Sequence, residues 1–476
     1  MKIVLCTPPI GETLDYSWPP IGLLYIASYL KSKSNHEVKV IDAYCSNETE
    51  NQFLNQIKKE KPDVIGLSCT SYTFLRSMRL LKKIKQMFPE VIIVLGGIHA
   101  TFFAEKILKN YKFIDFVVKG EGEITFYKLI NNLHNRKKLK NIKGLAFYYK
   151  NKIVNNKIEF IEDLDSLPFP DRSLVKSIDY AQCWFGLKLS FGKFTTLLTS
   201  RGCPHNCTFC CCSALFKRRW RTRSVENILD ELEEIYSQGY DTCIVVDDNF
   251  TLNSKRVIKI CRGIKKRKIK MNLNCEGRVD KASLEVLKEM KRAGFSTIYF
   301  GMESGLQKVL DYYKKGITVE QIKNAVRNAK KARLNVIGSF IIGSPIESKE
   351  DILKTLEFAT DLHIGLQINS LGIVPGAELW SKLENNNKIR KNDWKSAHSI
   401  SKYYNNFSEK ELLNFIDYSY KLHSKKWLLR LNFLKDIFTL LTGYNIRIIS
   451  WNLSKNPFLF MKRLIKIFTE GFYPYR

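Results

Sequence analysis

No stretch of this chain reaches the roughly 20 uncharged apolar residues that a membrane-spanning helix needs, so no spanning segment is expected. A cleavable signal is also missing: Met1-Lys-Ile-Val-Leu-Cys-Thr-Pro-Pro9 is too short and enters a strand pattern. The 12 cysteines are therefore not expected to form a secreted disulfide framework, and a reduced cytoplasm suits them better. No basic run is interleaved with stacking aromatics in the manner of an RNA-binding module. Nucleic acid is accordingly not the expected partner despite a net charge of +30, which leaves an anionic membrane, an acidic small molecule or a lysine-rich composition to explain it. Nor does the composition favour disorder, with 45% apolar and 26% charged residues. At 476 residues the chain exceeds one compact core, and two or three domains are expected.

What is present centres on Ser200-Arg-Gly-Cys203-Pro-His-Asn-Cys207-Thr-Phe-Cys210, which follows the apolar run Thr196–Thr199. Cys203, Cys207 and Cys210 are spaced C-x3-C-x2-C and can close around one metal centre. Cys211 and Cys212 follow directly, but starting the pattern at Cys207 puts Ala214 at its third position, so only the first register fits. An iron–sulfur cluster of the [4Fe–4S] type takes four thiolates, and three leave one iron open to another ligand. The alternatives are zinc, whose sites usually pair C-x2-C with further ligands, or inert buried thiols. His205 falls inside the loop, where ligation would strain it.

The spacing, with Phe209 just before the last cysteine, resembles the radical S-adenosylmethionine (SAM) superfamily. That resemblance implies an open iron that chelates the amino and carboxylate groups of SAM, and cleavage of SAM to a 5′-deoxyadenosyl radical. An exposed cluster of this kind suits an anaerobic cytoplasm.

Residues 2 to about 135 alternate short β-branched runs with helical patterns, which predicts a parallel sheet with crossover helices. Strands are expected at Lys2–Leu5, Val38–Ile41, Val64–Ser68, Val91–Leu95 and Phe116–Val118. Ligands of such sheets sit in loops beyond the strands' carboxyl ends. Gly96-Gly97 by itself marks a tight strand-to-helix turn as readily as a ligand contact. The ordered set Pro19-Pro-Ile-Gly-Leu-Leu-Tyr-Ile-Ala27, Ile41-Asp-Ala43, Gly96-Gly-Ile-His-Ala-Thr101 and Gly120-Glu-Gly-Glu123 resembles the cobalamin-binding domain that precedes the radical domain in B12-dependent radical SAM enzymes. The implied cobalamin contacts are Thr7, Pro8, Pro9, Asp42, Ser68, Thr70, Gly96, Gly97, His99, Gly120 and Glu121. Domains that ligate cobalt from below carry Asp-x-His-x-x-Gly after the first strand, whereas this loop reads Thr7-Pro-Pro-Ile-Gly-Glu12. Base-off binding without a histidine ligand is therefore implied, with His99 a loop residue near the nucleotide tail.

Residues 136–194 read as a linker with a hairpin-like pair, Gly144–Tyr149 and Lys152–Val154, and a Pro-rich stretch, Asp163–Asp171. From Thr195 the pattern resumes with strands at Thr196–Thr199, Thr242–Val246, Lys270–Cys275, Thr297–Gly301, Asn335–Ile342 and Gln367–Ile373. Six β/α units predict a partial barrel whose chemistry sits at the strands' C-terminal ends. Those ends are polar: Asp247-Asp-Asn249, Glu276-Gly-Arg278, Gly301-Met-Glu303-Ser-Gly305 and Gly343-Ser-Pro-Ile-Glu347. Each alone could be a turn or a helix cap. By the resemblance, Glu303 and Ser304 hold the methionine or ribose part of SAM, Ile341 stacks on adenine, Gly343 admits close approach, and the main chain at Phe209 meets the base; Arg278 and Gly301 belong to the same rim. Two departures stand out, Ser339 where the family has glycine and Pro375-Gly-Ala377 for Pro-Gly-Thr.

The expected class is thus α/β, with a Rossmann-like cobalamin-binding domain at 1–135, a partial (β/α)6 TIM-like radical SAM barrel at 195–385 and a C-terminal helical region at 386–476. In that region Phe458, Met461, Ile465 and Phe468 share a helical face, with Lys462, Arg463 and Lys466 elsewhere. It reads as a helical cap on the barrel or a basic amphipathic surface for peripheral contact with anionic lipid. The resemblance implies three cofactors, a [4Fe–4S] cluster, SAM and cobalamin, and a flavodoxin- or ferredoxin-type reductant. Relatives with this layout methylate carbons of lipids and natural products, using methylcobalamin and a second SAM, or perform anaerobic oxidative cyclisation or ring rearrangement. Methylation of a small-molecule or lipid substrate is the expected activity. A methylthiotransferase fits less well, for the extra cluster cysteines and the tRNA-binding barrel are missing. A non-catalytic corrinoid carrier is the contrasting class.

Overall fold

The computed structural model describes residues 1–10, 17–46, 48–180, 183–184, 187–188, 193–396 and 406–428. The expected tail helices at 433–441 and 456–468 lie outside them. Contacts within the described chain form two units, one built on residues 1–10, 18–179 and 373–396, the other on the described residues of 180–372 and on 406–428.

The first unit opens with β1 (Lys2–Thr7), α1 (Ile21–Lys33), β2 (Glu37–Asp42), α2 (Glu50–Glu60), β3 (Val64–Ser68), α3 (Phe74–Met87), β4 (Ile92–Gly96), α4 (Ile98–Asn110), β5 (Phe116–Val118) and α5 (Gly122–Ile130). A short α6 (Arg136–Leu139) leads to β6 (Leu145–Tyr149) and β7 (Lys152–Asn155). The seven strands lie in the order β2-β1-β3-β4-β5-β6-β7. β1 to β5 are parallel, and β6 and β7 run antiparallel. Strand order reverses between β1 and β3, the place where such sheets bind ligands. The expected linker does not stand apart: β6 pairs with β5 through Phe116↔Phe147, so residues 145–155 extend the sheet. Its buried Leu145 and Phe147 join the core of Ile3, Leu5, Val64, Val94 and Phe116, an attraction that local periodicity cannot reveal.

The second unit includes two short paired strands, β8 (Cys183–Trp184) and β9 (Leu187–Lys188). It contains β10 (Lys193–Leu197), β11 (Ser200–Arg201), α7 (Cys212–Leu215), β12 (Arg221–Thr222), α8 (Val225–Ser237), β13 (Tyr240–Val245), α9 (Ser254–Lys266), β14 (Asn272–Gly277), α10 (Leu284–Arg292) and β15 (Phe295–Glu303). α11 (Gln307–Tyr312), α12 (Val319–Lys331), β16 (Asn335–Ile342), α13 (Lys349–Asp361) and β17 (Gly365–Ser370) complete the repeats. Six parallel strands in the order β10-β13-β14-β15-β16-β17 make the expected partial barrel. Ser224, Asn253, Ser283, Thr318 and Ser348 each accept an N–H three residues into the following helix, so α8, α9, α10, α12 and α13 each start on a built cap.

After β17 the chain does not stay with the barrel. α14 (Glu378–Asn385) and the residues to 396 pack in the first unit, where Trp380 meets Phe103 at 5.6 Å and Trp394 meets Phe74 and Phe103 at 5.4 Å. The expected barrel domain, 195–385, thus gives up its last residues because two large aromatic side chains find their burial elsewhere. α15 (Glu409–Leu428) returns to the barrel with Leu412, Ile416 and Tyr420 buried, and the Ile368 N–H donates to the Tyr420 hydroxyl at 3.3 Å. This part of the C-terminal region is a helical cap. No described helix is long and apolar enough to cross a membrane.

Candidate functional site

The loop bearing Cys203, Cys207 and Cys210 is closed at its base by a clasp, β11 against β12, with Ser200 opposite Thr222 and Arg201 opposite Arg221. Gly202 enters the loop at φ +88°, and a Cβ there would stand 2.1 Å from the Arg219 carbonyl oxygen. Only glycine allows that turn. The acids after β13 anchor the entry. Buried Asp247 accepts the Thr199 N–H at 2.6 Å and the hydroxyls of Thr199 and Ser200, and Asp248 accepts the Gly202 N–H at 2.8 Å. Burial pushes the Asp247 carboxyl up despite these donors. On the far side, the Thr208 N–H donates to the Tyr313 carbonyl at 2.9 Å.

The three thiols are free, Cys207 being buried and the other two half-buried. Burial pushes Cys203 and Cys207 up. Cys210 is pushed down to about 7, chiefly by a hydrogen bond from the Cys212 side chain, and the Cys212 N–H also points at its Sγ at 3.4 Å. Among the described residues no three His, Cys, Asp or Glu donors converge as ligands of one bare ion do. A cubane cluster gives each thiolate a different iron, so its ligands need not converge on one point as those of a zinc ion do.

At the ends of β14, β15 and β16 the expected SAM residues come together unevenly. β15 slips in register between Gly301 and Glu303, and Glu303 sits at φ +60°. Its carboxylate pairs with Lys315 Nζ at 2.5 Å, both residues buried. Burial works against the Lys315 ammonium, but Glu303 and Cys207 outweigh it and hold its pKa above the ordinary value. Lys315 Nζ also lies 6.0 Å from the Phe209 ring centre, and that ring meets Tyr313 edge-on at 5.1 Å. Gly301 makes room: a Cβ there would stand 2.6 Å from Glu303 Oε1 and 2.8 Å from Lys315 Nζ. Gly301→Ala is therefore expected to displace the pair and to weaken SAM binding about tenfold, with the iron content of the reconstituted protein unchanged; the checks are equilibrium binding and iron analysis.

Two of the expected contacts, Ser304 and Arg278, already have partners within the fold. The Ser304 hydroxyl lies 3.0 Å from the Thr355 hydroxyl and accepts the Leu306 N–H at 3.2 Å, so it is taken up by α13 and its own turn. Arg278 donates from Nε to Asp280 at 2.9 Å and from Nη2 to the Lys315 carbonyl at 2.8 Å, which fixes Lys315 in place. Ile341 is half-buried opposite Asn369, and Gly343 follows β16 at φ +85°. Ser339 lies opposite Gly301 and its Oγ is 3.5 Å from Asn369 Nδ2, so the extra hydroxyl has a neighbour.

Beyond Gly343, Glu347 accepts the Ser344 N–H at 2.6 Å through Oε2, while its buried Oε1 has no partner among the described residues. Desolvation pushes this carboxyl up to about 7. The folded protein thus holds a proton that the unfolded chain releases near the ordinary 4.5. The stability this contributes is full below about 4.5 and lost as pH rises through about 7. Glu347→Gln is expected to flatten that decline, which urea melts at pH 5 and pH 8 would show.

In the first unit the expected cobalamin loops line the carboxyl ends of β1 to β5. The Thr7 hydroxyl donates to Asp42 at 2.5 Å and accepts the Tyr44 N–H at 3.0 Å, and Arg76 donates to the Pro9 carbonyl at 3.3 Å and to that of Ile10, so Thr7, Pro8 and Pro9 are held by their own neighbours. Thr70 and Thr73 cap one another through their hydroxyls and N–H groups. Gly97, not Gly96, is the residue that sterics demand: it lies at φ +92°, and a Cβ would stand 2.4 Å from the Cys69 carbonyl oxygen and 3.0 Å from Ser68 Oγ, whereas a Cβ on Gly96 meets nothing nearer than 3.8 Å. Gly120 lies at φ +69° and donates to Thr101 Oγ1 at 3.0 Å. Glu121 accepts the Ile161 N–H at 2.9 Å.

His99 is not the expected loop residue. It stands in the first turn of α4, fully buried, stacked on Phe74 at 4.1 Å with Nδ1 3.0 Å from Ser71 Oγ. A ring so enclosed is a core member. With no histidine offered by the β1 loop, the cradle fits a corrinoid bound through main-chain loops rather than through a side-chain nitrogen. Sequence reasoning missed Lys315, the anchoring by Asp247 and Asp248, and the Trp380–Trp394 return; of these only the paired acids gave a signal.

Residues 197–359 match the radical SAM superfamily and residues 8–130 the B12 binding domain. The chain is 36% identical over 407 residues to the uncharacterized methyltransferase PH0819 of Pyrococcus horikoshii, an alignment covering 84% of this chain and 87% of the other. It is 29% identical over 376 residues to the anaerobic magnesium-protoporphyrin IX monomethyl ester cyclase of Cereibacter sphaeroides, covering 76% of this chain and 60% of that one. The fold is shared with the cobalamin-dependent SAM radical enzyme OxsB, at 24% identity and a TM-score of 0.66 over 83% of this chain and 56% of that one. With both domains matched in order and a relative aligned over most of each chain, this protein belongs to the cobalamin-binding branch of the radical SAM enzymes, which use a [4Fe–4S] cluster, SAM and cobalamin.

Proposed function

We propose that this chain is a carbon methyltransferase acting on a small molecule of the lipid or natural-product class. The observation that carries the reading is its 36% identity, over most of both chains, to a protein named as a methyltransferase. Each unit supports it by itself, the second with a three-thiol loop that would leave one iron of a cluster open, the first with loops that offer a corrinoid no histidine donor after β1. When bound, the cluster and SAM supply a 5′-deoxyadenosyl radical and the corrinoid supplies the methyl group. The chain's own residues bind and orient. Cys203, Cys207 and Cys210 would hold the cluster; Gly202, Asp247 and Asp248 set the path of their loop. Glu303, with Gly343, Ile341 and the Phe209 main chain, would hold SAM. Gly96, Gly97 and Gly120 would let the loops of the first unit approach the corrinoid.

The reading places the protein in the cytoplasm with a flavodoxin- or ferredoxin-type reductant. A lipid acceptor goes with peripheral membrane contact through the basic amphipathic stretch 456–468. Flotation with anionic vesicles checks this, and the full chain is expected to bind at low salt where a chain ending at 428 does not. The similarity to the cyclase favours a second reading, oxidative cyclisation. Anaerobic reconstitution with iron, sulfide and hydroxocobalamin, then dithionite and SAM, separates them. Methyl transfer yields both 5′-deoxyadenosine and S-adenosylhomocysteine; 5′-deoxyadenosine alone, across a panel of acceptors, would favour cyclisation.

A further inference from the structure

We propose that the cavity between α4 and α14 in the first unit is a binding site for a small organic anion, a carboxylate carried on a flat apolar body. The site stands whichever reaction the protein performs.

The cavity measures about 410 Å³, within the range of small-molecule sites. Its walls are aromatic, with Phe102 and Phe103 from α4 and Trp380 from α14. Trp380 meets Phe103 edge-on at 5.6 Å, and α4 departs from helical geometry at Phe103, with φ −120° and ψ 22°. Gly376, on the approach to α14, lies at φ +85°, and a Cβ there would stand 2.2 Å from the Phe102 ring. Only glycine lets the chain press so close against that wall.

At the inner end stands a buried cation without an anion. Lys119 is 8% exposed, and its ammonium donates to the Asn155 side-chain carbonyl and, at 2.6 Å, to the Asn156 carbonyl. An ammonium has three N–H groups, so one is left for an occupant. Among the described residues no carboxylate lies within ion-pair distance of Lys119. Buried charges are ordinarily paired, because an uncompensated one is costly. Burial accordingly lowers the Lys119 pKa, and the charge of Glu105 offsets this only in part. The two acids of the lining are by contrast already met: Glu384 by Lys106 at 3.6 Å, Glu105 by Lys109 at 3.8 Å and by Asn155 Nδ2 at 3.0 Å.

These features define the occupant. A carboxylate would accept the remaining Lys119 N–H and compensate its charge, while a flat body would cover the aromatic walls and displace water from them. A neutral group would leave the ammonium as it is. The occupant would also adjoin the corrinoid cradle, for Thr101, another lining residue, accepts the Gly120 N–H at 3.0 Å and donates to the Gly97 carbonyl at 2.9 Å.

The test is calorimetry on the full chain, reconstituted with cluster and cobalamin, using naphthoate as the probe and naphthamide as its neutral counterpart. Lys119→Met is expected to weaken naphthoate roughly 30-fold, the size of one charge-assisted hydrogen bond, and to change naphthamide by less than about twofold. Where Lys119→Met does not fold, Ser381→Trp closes the exposed mouth with the buried groups intact and is expected to abolish binding of both. A wild-type protein that took up no naphthoate at millimolar concentration, or naphthoate binding that neither substitution altered, would overturn the proposal. Binding confined to protein without cobalamin would mean that the corrinoid itself fills the cavity, and would overturn it as well.

Discussion

Replacing Cys203, Cys207 and Cys210 together by alanine is expected to leave a folded protein that binds corrinoid, holds no [4Fe–4S] cluster and releases no 5′-deoxyadenosine from SAM. The loop's path is fixed mainly by groups other than its thiols. Its base is the β11–β12 clasp, its entry is tied to Asp247 and Asp248, and its far side is held by the Thr208 N–H on Tyr313. Only Cys207 among the three is buried, so the substitution removes little core. The ligands, by contrast, have no substitutes in the pattern, because Cys211 and Cys212 are out of register and Cys212 is spent on Cys210. Iron and sulfide analysis, corrinoid absorbance and product chromatography read the three outcomes separately. Reductive cleavage of SAM that survived the triple substitution would refute the mechanism.

The second large effect falls on the first unit. Gly97→Ala is expected to abolish retention of corrinoid on gel filtration and to lower stability by about 3 kcal/mol, whereas Gly96→Ala is expected to keep the wild-type melting point. Two causes add at Gly97. Its φ of +92° with ψ of 178° is a conformation in which only glycine is at ease, and the new Cβ would lie 2.4 Å from a carbonyl oxygen. That oxygen belongs to Cys69, whose own N–H is bonded to the Gly96 carbonyl at 3.1 Å, so the neighbour cannot step aside cheaply. At Gly96 the nearest atom is 3.8 Å away, ordinary contact distance. A Gly97→Ala protein that melted normally and carried corrinoid would show that this turn neither needs glycine nor meets the cofactor.

The two glycines show where reading a sequence stops. Gly-Gly is visible as a motif, but which member is indispensable depends on a carbonyl contributed by β3's loop, brought there by sheet pairing. His99 shows the same limit from the other side: its place in the motif suggested a ligand neighbour, while Phe74, Phe103 and Trp394 make it a core residue. Trp394 lies almost 300 positions along the chain, beyond the reach of any periodic signal. Ser304 and Arg278 were legible as rim residues, yet their partners, Thr355 and the Lys315 carbonyl, belong to other βα units.

The sequence by itself determined what is chemically local: the three thiols and their spacing, the alternation of strands and amphipathic helices that makes both sheets, the caps that start the barrel helices, and the absence of a histidine after β1. Each follows from residues within one turn or one strand of each other. Only the tertiary structure decided that residues 145–155 extend the first sheet, that Trp380 and Trp394 pack in the first unit, and that Lys315 stands against Glu303. These depend on burial and pairing between segments far apart in the chain, where the free energy comes from removing apolar surface and charge from water and leaves no pattern in neighbouring residues.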